Sequence, residues 1–264
     1  MPQLLERLGC TFEVIGRETD GRFPRDPEPT AAHLQDLAQL VEDMGADIGL
    51  AVDPDVDRLS LVDERGEPLG EDLTLAFAAA AVLSRRTGTV VTNLSTSQVV
   101  EDVVRAAGGL MVRSPVGEIH VARRMQVEGA VVGGEGNGGV ILPDLHYTRD
   151  APLAAVLVLQ HLADQGLPTS EAAGRWPRYV IVKEKLDFPR ESLQAAYDAL
   201  QEDLGADERD DTDGLRLAWR KQRAWLHVRP SGTEPIVRLI AETPDSSSSR
   251  ALVKRAAECL AGVA

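Results

Sequence analysis

Residues 89–114, TVVTNLSTSQVVEDVVRAAGGLMVRS, decide the fold. Thr89 to Leu94 reads as a buried strand, Ser97 to Ala107 as a helix and Leu110 to Arg113 as a second strand. A strand that returns through a helix pairs in parallel with the strand that follows. Working outward, Glu118 to Val127 reads as a helix, Ala130 to Val132 and Val140 to Leu142 as strands, and Ala151 to Ala163 as a helix. Strands alternating with helices of this length predict a mainly parallel sheet covered on both faces.

The pattern continues upstream. An Ala-rich helix is expected over 72–86, after the break at Pro68-Leu69-Gly70. Strands are expected over Asp47–Val52 and Leu59–Val62, on either side of an acidic loop. Thr30 is placed to cap an amphipathic helix running to Met44, and a Pro/Gly-rich loop spans Asp20 to Pro29. Residues 11–16 (TFEVIG) alternate like a strand, and residues 3–8 read as the end of a helix stopped by Gly9. Downstream, periodicity lapses over Asp164–Pro177. The order then becomes strand (179–186), helix (191–204), acidic turn, three short strands (215–219, 224–228, 236–241) and a last helix after Ser246–Ser249. That is an α+β pattern and a separate small domain.

Composition limits the function classes. The chain has 264 residues, 28 Lys+Arg against 42 Asp+Glu, a net charge of −14 and 43% hydrophobic residues. It has material for packed cores and is not a disordered chain. Its acidity argues against nucleic acid and anionic membrane surfaces as partners, though a local basic pocket can still take a small phosphorylated ligand. Two distant cysteines, Cys10 and Cys259, exclude a cysteine-type zinc site and make a disulfide framework implausible. No apolar run approaches the roughly 18 residues of a membrane helix, and the N-terminus lacks the basic and apolar regions of a signal peptide. The expected setting is the cytoplasm.

Three loops carry chemistry. In Asp53-Pro54-Asp55-Val56-Asp57-Arg58, carboxylates at alternate positions can converge on a hard cation such as Mg²⁺. An EF-hand opening at Asp53 fails, because Arg58 stands where glycine is needed and an apolar strand follows. Asp57 also stands where a haloacid-dehalogenase-type phosphatase needs a small hydroxyl or β-branched residue. In Gly133-Gly134-Glu135-Gly136-Asn137-Gly138-Gly139 the glycines fit a dinucleotide fingerprint, but they lead into a strand, not a helix. What resists a plain hairpin is Glu135 and Asn137, suited to hydrogen-bonding vicinal sugar hydroxyls. In Arg229-Pro230-Ser231-Gly232-Thr233-Glu234-Pro235, a guanidinium, hydroxyls and a glycine turn can form an anion nest.

At these residues the sequence resembles the α-D-phosphohexomutase family of phosphoglucomutases, phosphomannomutases and phosphoglucosamine mutases. Asp53–Arg58 resembles its magnesium loop (D-G-D-x-D-R), with Pro54 in place of glycine. Gly134–Gly139 resembles its sugar-binding loop (G-E-x-S/N-G), and Arg229–Pro235 its phosphate loop (R-x-S-G-T-E-P). The resemblance implies two α/β domains, the first incomplete, and a C-terminal α+β domain like the TATA-binding protein. It places residues 1–69 in the family's second domain, 70–165 in the third and 178–264 in the fourth, with 166–177 as linker. It further implies Asp53, Asp55 and Asp57 as Mg²⁺ ligands with Arg58 in support. Glu135 and Asn137 would read the sugar, and Arg229, Ser231, Gly232 and Thr233 would clamp the non-reacting phosphate.

The implied reaction interconverts hexose 6-phosphates and 1-phosphates through a bisphosphate, with a sugar 1,6-bisphosphate as activator. The family's phosphoserine loop (T-A-S-H-N-P type) does not occur in these 264 residues, so no catalytic nucleophile is expected here. Ser95 and Ser97 are expected as helix caps. Near Arg113–Gly117, Pro115 stands where several relatives carry a phosphate-contacting lysine. His146, Arg149 and Asp150, just beyond the sugar loop, are candidates for supporting it, and Asp150 equally for starting a helix. The expectation is a truncated mutase that binds metal and phosphosugar and needs a first domain from elsewhere, a separate chain included. The alternatives are a non-catalytic phosphosugar-binding protein, half of a split mutase and, more weakly, a phosphatase using Asp53 as nucleophile.

Overall fold

The Ala-rich helix is hydrophobic all round because it is covered all round. In the structure, a computed structural model that describes residues 1–18, 20–23, 25–232 and 234–263, Leu75, Ala76, Phe77, Ala78 and Ala79 have no solvent exposure. Burying side chains such as Leu75 and Phe77 contributes about 2 kcal/mol each. Everything else in the first two-thirds of the chain is arranged around this helix.

In chain order the elements are α1 (Pro2–Arg7), α2 (Gln35–Met44), β1 (Ile48–Val52), β2 (Leu59–Asp63), the Ala-rich α3 (Glu71–Leu83), β3 (Thr89–Asn93), α4 (Gln98–Ala106), β4 (Leu110–Ser114), α5 (Glu118–Glu128), β5 (Val132–Glu135), β6 (Gly139–Ile141) and α6 (Ala151–Gln165). They continue with α7 (Thr169–Ala173), β7 (Val180–Asp187), α8 (Leu193–Leu204), β8 (Glu208–Asp210), β9 (Leu215–Trp219), β10 (Ala224–Pro230), β11 (Ile236–Thr243) and α9 (Ser246–Ala261). Among the described residues no helix is long and apolar enough to cross a membrane.

The fold is mixed α/β, and the central sheet is as expected from residues 89–114. Its order is β4-β3-β5-β6. The first three strands are parallel, and β6 returns antiparallel to β5. One face packs Val90, Val132 and Val140 on α3, α4 and α6, while Val91 and Ile141 pack on α5 through Val121 and Met125.

The first unit is smaller. β1 and β2 form an antiparallel two-stranded sheet. Leu34, Val41, Ala51 and Val62 pack α2 on one face, and Leu59 and Leu61 join the α3 core on the other. Residues 11–16 form no strand despite their alternation: no β-ladder reaches them, and Phe12, Val14 and Ile15 instead line an apolar cavity of about 350 Å³ against α2 and β1. Thr30 precedes a turn of 3-10 helix (Ala31–His33) with no side-chain cap, and α2 starts only at Gln35.

Residues 166–177, expected as a linker, carry α7. It is anchored to the first unit by Thr169 Oγ1 donating to Asp47 O at 2.8 Å and by a short Ser170–Glu64 contact. Beyond it lies an antiparallel sheet of order β7-β11-β10-β9-β8. α8 and α9 cover one face over Leu200, Leu217, Leu226 and Leu239. The other face meets the central unit through polar contacts. Arg216 lies 5.3 Å over the Trp225 ring and donates to Leu94 O at 3.1 Å, and Glu242 accepts from Gln98 N and Trp225 Nε1.

Candidate phosphosugar site

The metal loop joins β1 to β2, and its shape is set by Asp53. One carboxylate oxygen of Asp53 accepts the backbone N–H of Asp57 and of Arg58, both at 3.1 Å, and the other accepts Arg58 Nε at 2.7 Å. Pro54 follows Asp53 in a turn closed by Val56 N donating to Asp53 O at 3.1 Å. Its fixed φ suits that corner, so the proline is accommodated without a glycine. Val56 has φ of 60°, a strained conformation for a β-branched residue. The strain is held by Ala151 N, which donates to Val56 O at 3.1 Å.

Asp53, Asp55 and Asp57 can each offer an oxygen within 4.8 Å of the others. Asp53 is buried and Asp55 exposed. Against the push of burial, hydrogen bonds from Arg58 hold the Asp53 carboxyl below its ordinary range. Burial, and then the neighbouring Asp53, pushes Asp57 up to about 6. Among the described residues Asp57 Oδ1 is buried without a hydrogen-bond partner, with Arg58 Nε 3.7 Å away. Hard oxygen donors with one orphaned oxygen among them fit a Mg²⁺-type cation.

The sugar loop is built against this loop. Gly138 O accepts Leu59 N at 3.0 Å, and Arg58 bridges Gly139 across the two hairpins. Gly138 has φ of 89°, and a Cβ there would come within 2.3 Å of Leu59 O. Glu135 is not displayed on the hairpin, as its sequence position suggests, but is 4% exposed. One oxygen accepts Asn93 Nδ2 at 2.8 Å and Gly117 N at 2.9 Å, and the other accepts Arg149 Nη1 at 3.1 Å. It lies inside because β5 ends at Glu135, in a sheet covered on both faces. Asn137 is half-buried and its side chain accepts Gly139 N at 3.2 Å.

Asp150 caps α6 by accepting Leu153 N at 2.8 Å, and His146 Nε2 lies 3.0 Å from it. Ser97 caps α4 as expected, accepting Val99 N at 3.2 Å. Ser95 does not cap. Its hydroxyl lies 2.8 Å from His227 Nδ1 in the C-terminal unit. Asp72, in the first turn of α3, accepts Ser97 N at 2.8 Å, and burial pushes its carboxyl up to about 7.

The phosphate loop runs from β10 to β11. Ser231 N donates to Ile236 O at 2.9 Å, and Glu234 N to Ser231 Oγ at 3.3 Å. A Cβ at Gly232 would meet nothing within 4 Å, so this turn faces open space. Thr233 lies outside the described residues. Two guanidiniums meet the loop. Arg229 Nε lies 2.8 Å from Asp213 Oδ2, and Arg190 Nη2 donates to Ser231 O at 2.5 Å. Asp213 also accepts Val116 N at 2.9 Å.

The three loops are therefore joined. A polar path runs from Asp57 through Arg149 to Glu135, on to the backbone of Gly117 and Val116, and through Asp213 to Arg229. Asn93, Asp213 and Arg190 are not singled out by the sequence. Their partners lie 42, 97 and 41 residues away, so no local motif marks them.

Residues 1–66 match the family model for phosphoglucomutase/phosphomannomutase alpha/beta/alpha domain II, residues 70–179 that for alpha/beta/alpha domain III, and residues 179–258 that for the C-terminal domain. The chain belongs to the phosphoglucomutase/phosphomannomutase family. A probable phosphoglucosamine mutase of Methanopyrus kandleri is 37% identical over 255 residues, 95% of this chain and 56% of that protein. A phosphoglucomutase/phosphomannomutase of Thermococcus kodakarensis is 35% identical over 254 residues, again 95% of this chain and 55% of its own length. The crystal structure of a family protein from Burkholderia thailandensis superposes with a TM-score of 0.84 at 27% identity, covering 99% of this chain and 57% of that one. The chain thus spans a little over half the length of the relatives it matches.

Proposed function

We propose that this chain supplies the metal, sugar and phosphate sites of a phosphohexomutase that interconverts hexose 6-phosphates and 1-phosphates of glucosamine, mannose or glucose through a sugar bisphosphate. The observation that carries the reading is the polar path from Asp57 to Arg229, which makes one site of three loops.

In this reading Asp53, Asp55 and Asp57 hold Mg²⁺, which when bound neutralises charge on the transferring phosphoryl group. Arg58 keeps Asp53 ionised and in place. Glu135 and Asn137 orient the sugar hydroxyls, and Arg229, Ser231, Gly232 and Thr233 hold the phosphate that is not reacting. Arg190 adds a second guanidinium to that loop. Ser97 caps a helix, and Ser95, 2.8 Å from His227 Nδ1, stands in no loop of the phosphoserine type, so neither is assigned as phosphoryl carrier. That serine comes from a first domain outside these 264 residues, with the sugar 1,6-bisphosphate as activator and the cytoplasm as setting.

The test is conversion of glucosamine, mannose and glucose 6-phosphates to 1-phosphates with Mg²⁺ and a trace of sugar 1,6-bisphosphate. The chain is assayed alone and with a first domain from a relative. Activity only on complementation is expected. Phosphosugar binding with no activity in either assay would make this a binding protein instead.

A further inference from the structure

Among the residues of the site, Arg149 meets the most elements. Its Nη2 lies 2.5 Å from Asp57 Oδ2 in the metal loop, its Nη1 3.1 Å from Glu135 Oε2 at the end of β5, and its Nε 3.2 Å from Glu118 Oε2 at the start of α5. The last is an ion pair without hydrogen-bond alignment, since Nε is buried and makes no hydrogen bond. The backbone is pinned as well, Arg149 N donating to Glu118 Oε1 at 3.1 Å. The side chain is 18% exposed.

The fold makes room for this guanidinium. A Cβ at Gly139 would lie 2.2 Å from Arg149 Cδ, so the last glycine of the sugar loop stands where the arginine passes. The cost of removing Arg149 is legible from its partners. Asp57, Glu118 and Glu135 would be left facing one another, and among the described residues the ion pair left to Asp57 is with Arg58, whose Nε lies 3.7 Å from Asp57 Oδ1 but 2.7 Å from Asp53 Oδ2.

Resting on the phosphohexomutase reading of this site, we infer that Arg149 is a positioning residue that links occupancy of the metal loop to placement of Glu135. In the metal-free chain its guanidinium supplies the positive charge beside Asp57. A divalent cation held through Asp57 Oδ1, the oxygen without a hydrogen bond among the described residues, competes with Arg149 for the charge of that carboxylate. As the cation neutralises Asp57, the guanidinium is released from it and its charge rests on Glu118 and on Glu135, the group assigned to the sugar. Metal binding and sugar binding are then coupled through one side chain, and the coupling must be reciprocal.

The test is calorimetric titration of Mn²⁺, with and without saturating glucose 6-phosphate, into the wild-type chain, Arg149→Gln and Arg149→Lys. In the wild type, glucose 6-phosphate is expected to tighten Mn²⁺ binding. In Arg149→Gln, Mn²⁺ alone is expected to bind about fivefold tighter, roughly 1 kcal/mol, because its competitor is gone. The effect of glucose 6-phosphate on Mn²⁺ should vanish in the same variant. Arg149→Lys keeps the charge and should return Mn²⁺ affinity toward wild type.

An arginine that merely braces the loop would make Arg149→Gln bind Mn²⁺ more weakly, which overturns the inference. So would an unchanged affinity, or a lysine variant that behaves as the glutamine one. A wild-type chain that binds no Mn²⁺ would overturn the metal reading itself, a failure distinct from the others.

Discussion

The metal loop and the phosphate loop bind charge of opposite sign, and they are held in opposite ways. The metal loop is fixed largely through its backbone amides and carbonyls, with Arg58 on Asp53 and Arg149 on Asp57 as the side-chain ties. Asp53 accepts two amides of its own loop, Gly138 O takes Leu59 N, and Ala151 N takes Val56 O. The phosphate loop closes on itself through Ser231 N and Ile236 O, but it is tied to the rest of the site by side chains, Asp213 on Arg229 and Arg190 on Ser231 O. A small, strongly hydrated cation needs ligands placed before it arrives. A phosphate can be met by guanidiniums whose forked donors adjust to it. Rigidity is concentrated where the ion demands it.

Of the two loops, breaking the backbone-held one should show the larger effects. Gly138→Ala puts a Cβ against Leu59 O at a left-handed φ, and denaturant unfolding should report a loss of about 3 kcal/mol. A loss below about 0.5 kcal/mol would mean the two hairpins are not locked together. Asp53→Asn keeps an acceptor for the Asp57 and Arg58 amides but removes the charge. Mn²⁺ affinity should fall on the order of a hundredfold, about 2.7 kcal/mol, with the fold intact by circular dichroism.

Asp72, in the first turn of α3, gives stability a pH dependence. Its carboxyl keeps a proton to about 7 in the folded chain, whereas an unfolded aspartate ionises near 4. Between these values the folded state binds more protons, so this group's contribution falls as pH rises and is lost by about pH 7. Asp72→Asn removes the dependence. Its stability relative to wild type should therefore rise between pH 4 and 8, by something on the order of 4 kcal/mol, and parallel pH profiles of the two proteins would refute it. The smallest effect belongs to the side-chain loop. Arg229→Gln should weaken glucose 6-phosphate binding about tenfold, some 1.4 kcal/mol. The melting temperature should move little, because among the described residues the Arg229 side chain is anchored by one ion pair, to Asp213.

What the sequence discloses follows from how local each feature is. The chemistry of Asp53–Arg58 and Arg229–Pro235 lies in contiguous residues, and residues 89–114 spell out a strand-helix-strand unit that the structure contains. Residues 11–16 alternate as well as any strand, yet alternation says only which faces are apolar, and among the described residues no strand pairs with them. α7 has five residues, too few for helical periodicity to register. Ser95 and Ser97 look alike in sequence. Only the packing of the C-terminal unit turns one toward His227. Glu135 reads as a loop residue because glycines surround it. Its burial depends on Asn93, Gly117 and Arg149, none of them near it in the motif.

If the three loops make one site, a phosphosugar held by it lies close to the metal. Phosphorus NMR of glucose 6-phosphate bound to the Mn²⁺-loaded chain measures that proximity. Strong paramagnetic relaxation of the bound phosphate is expected, lost in Asp53→Asn because the metal leaves. In Arg229→Gln it should be weakened together with sugar binding. Glucose 6-phosphate that binds this chain while its phosphorus signal ignores the bound Mn²⁺ would contradict a single site.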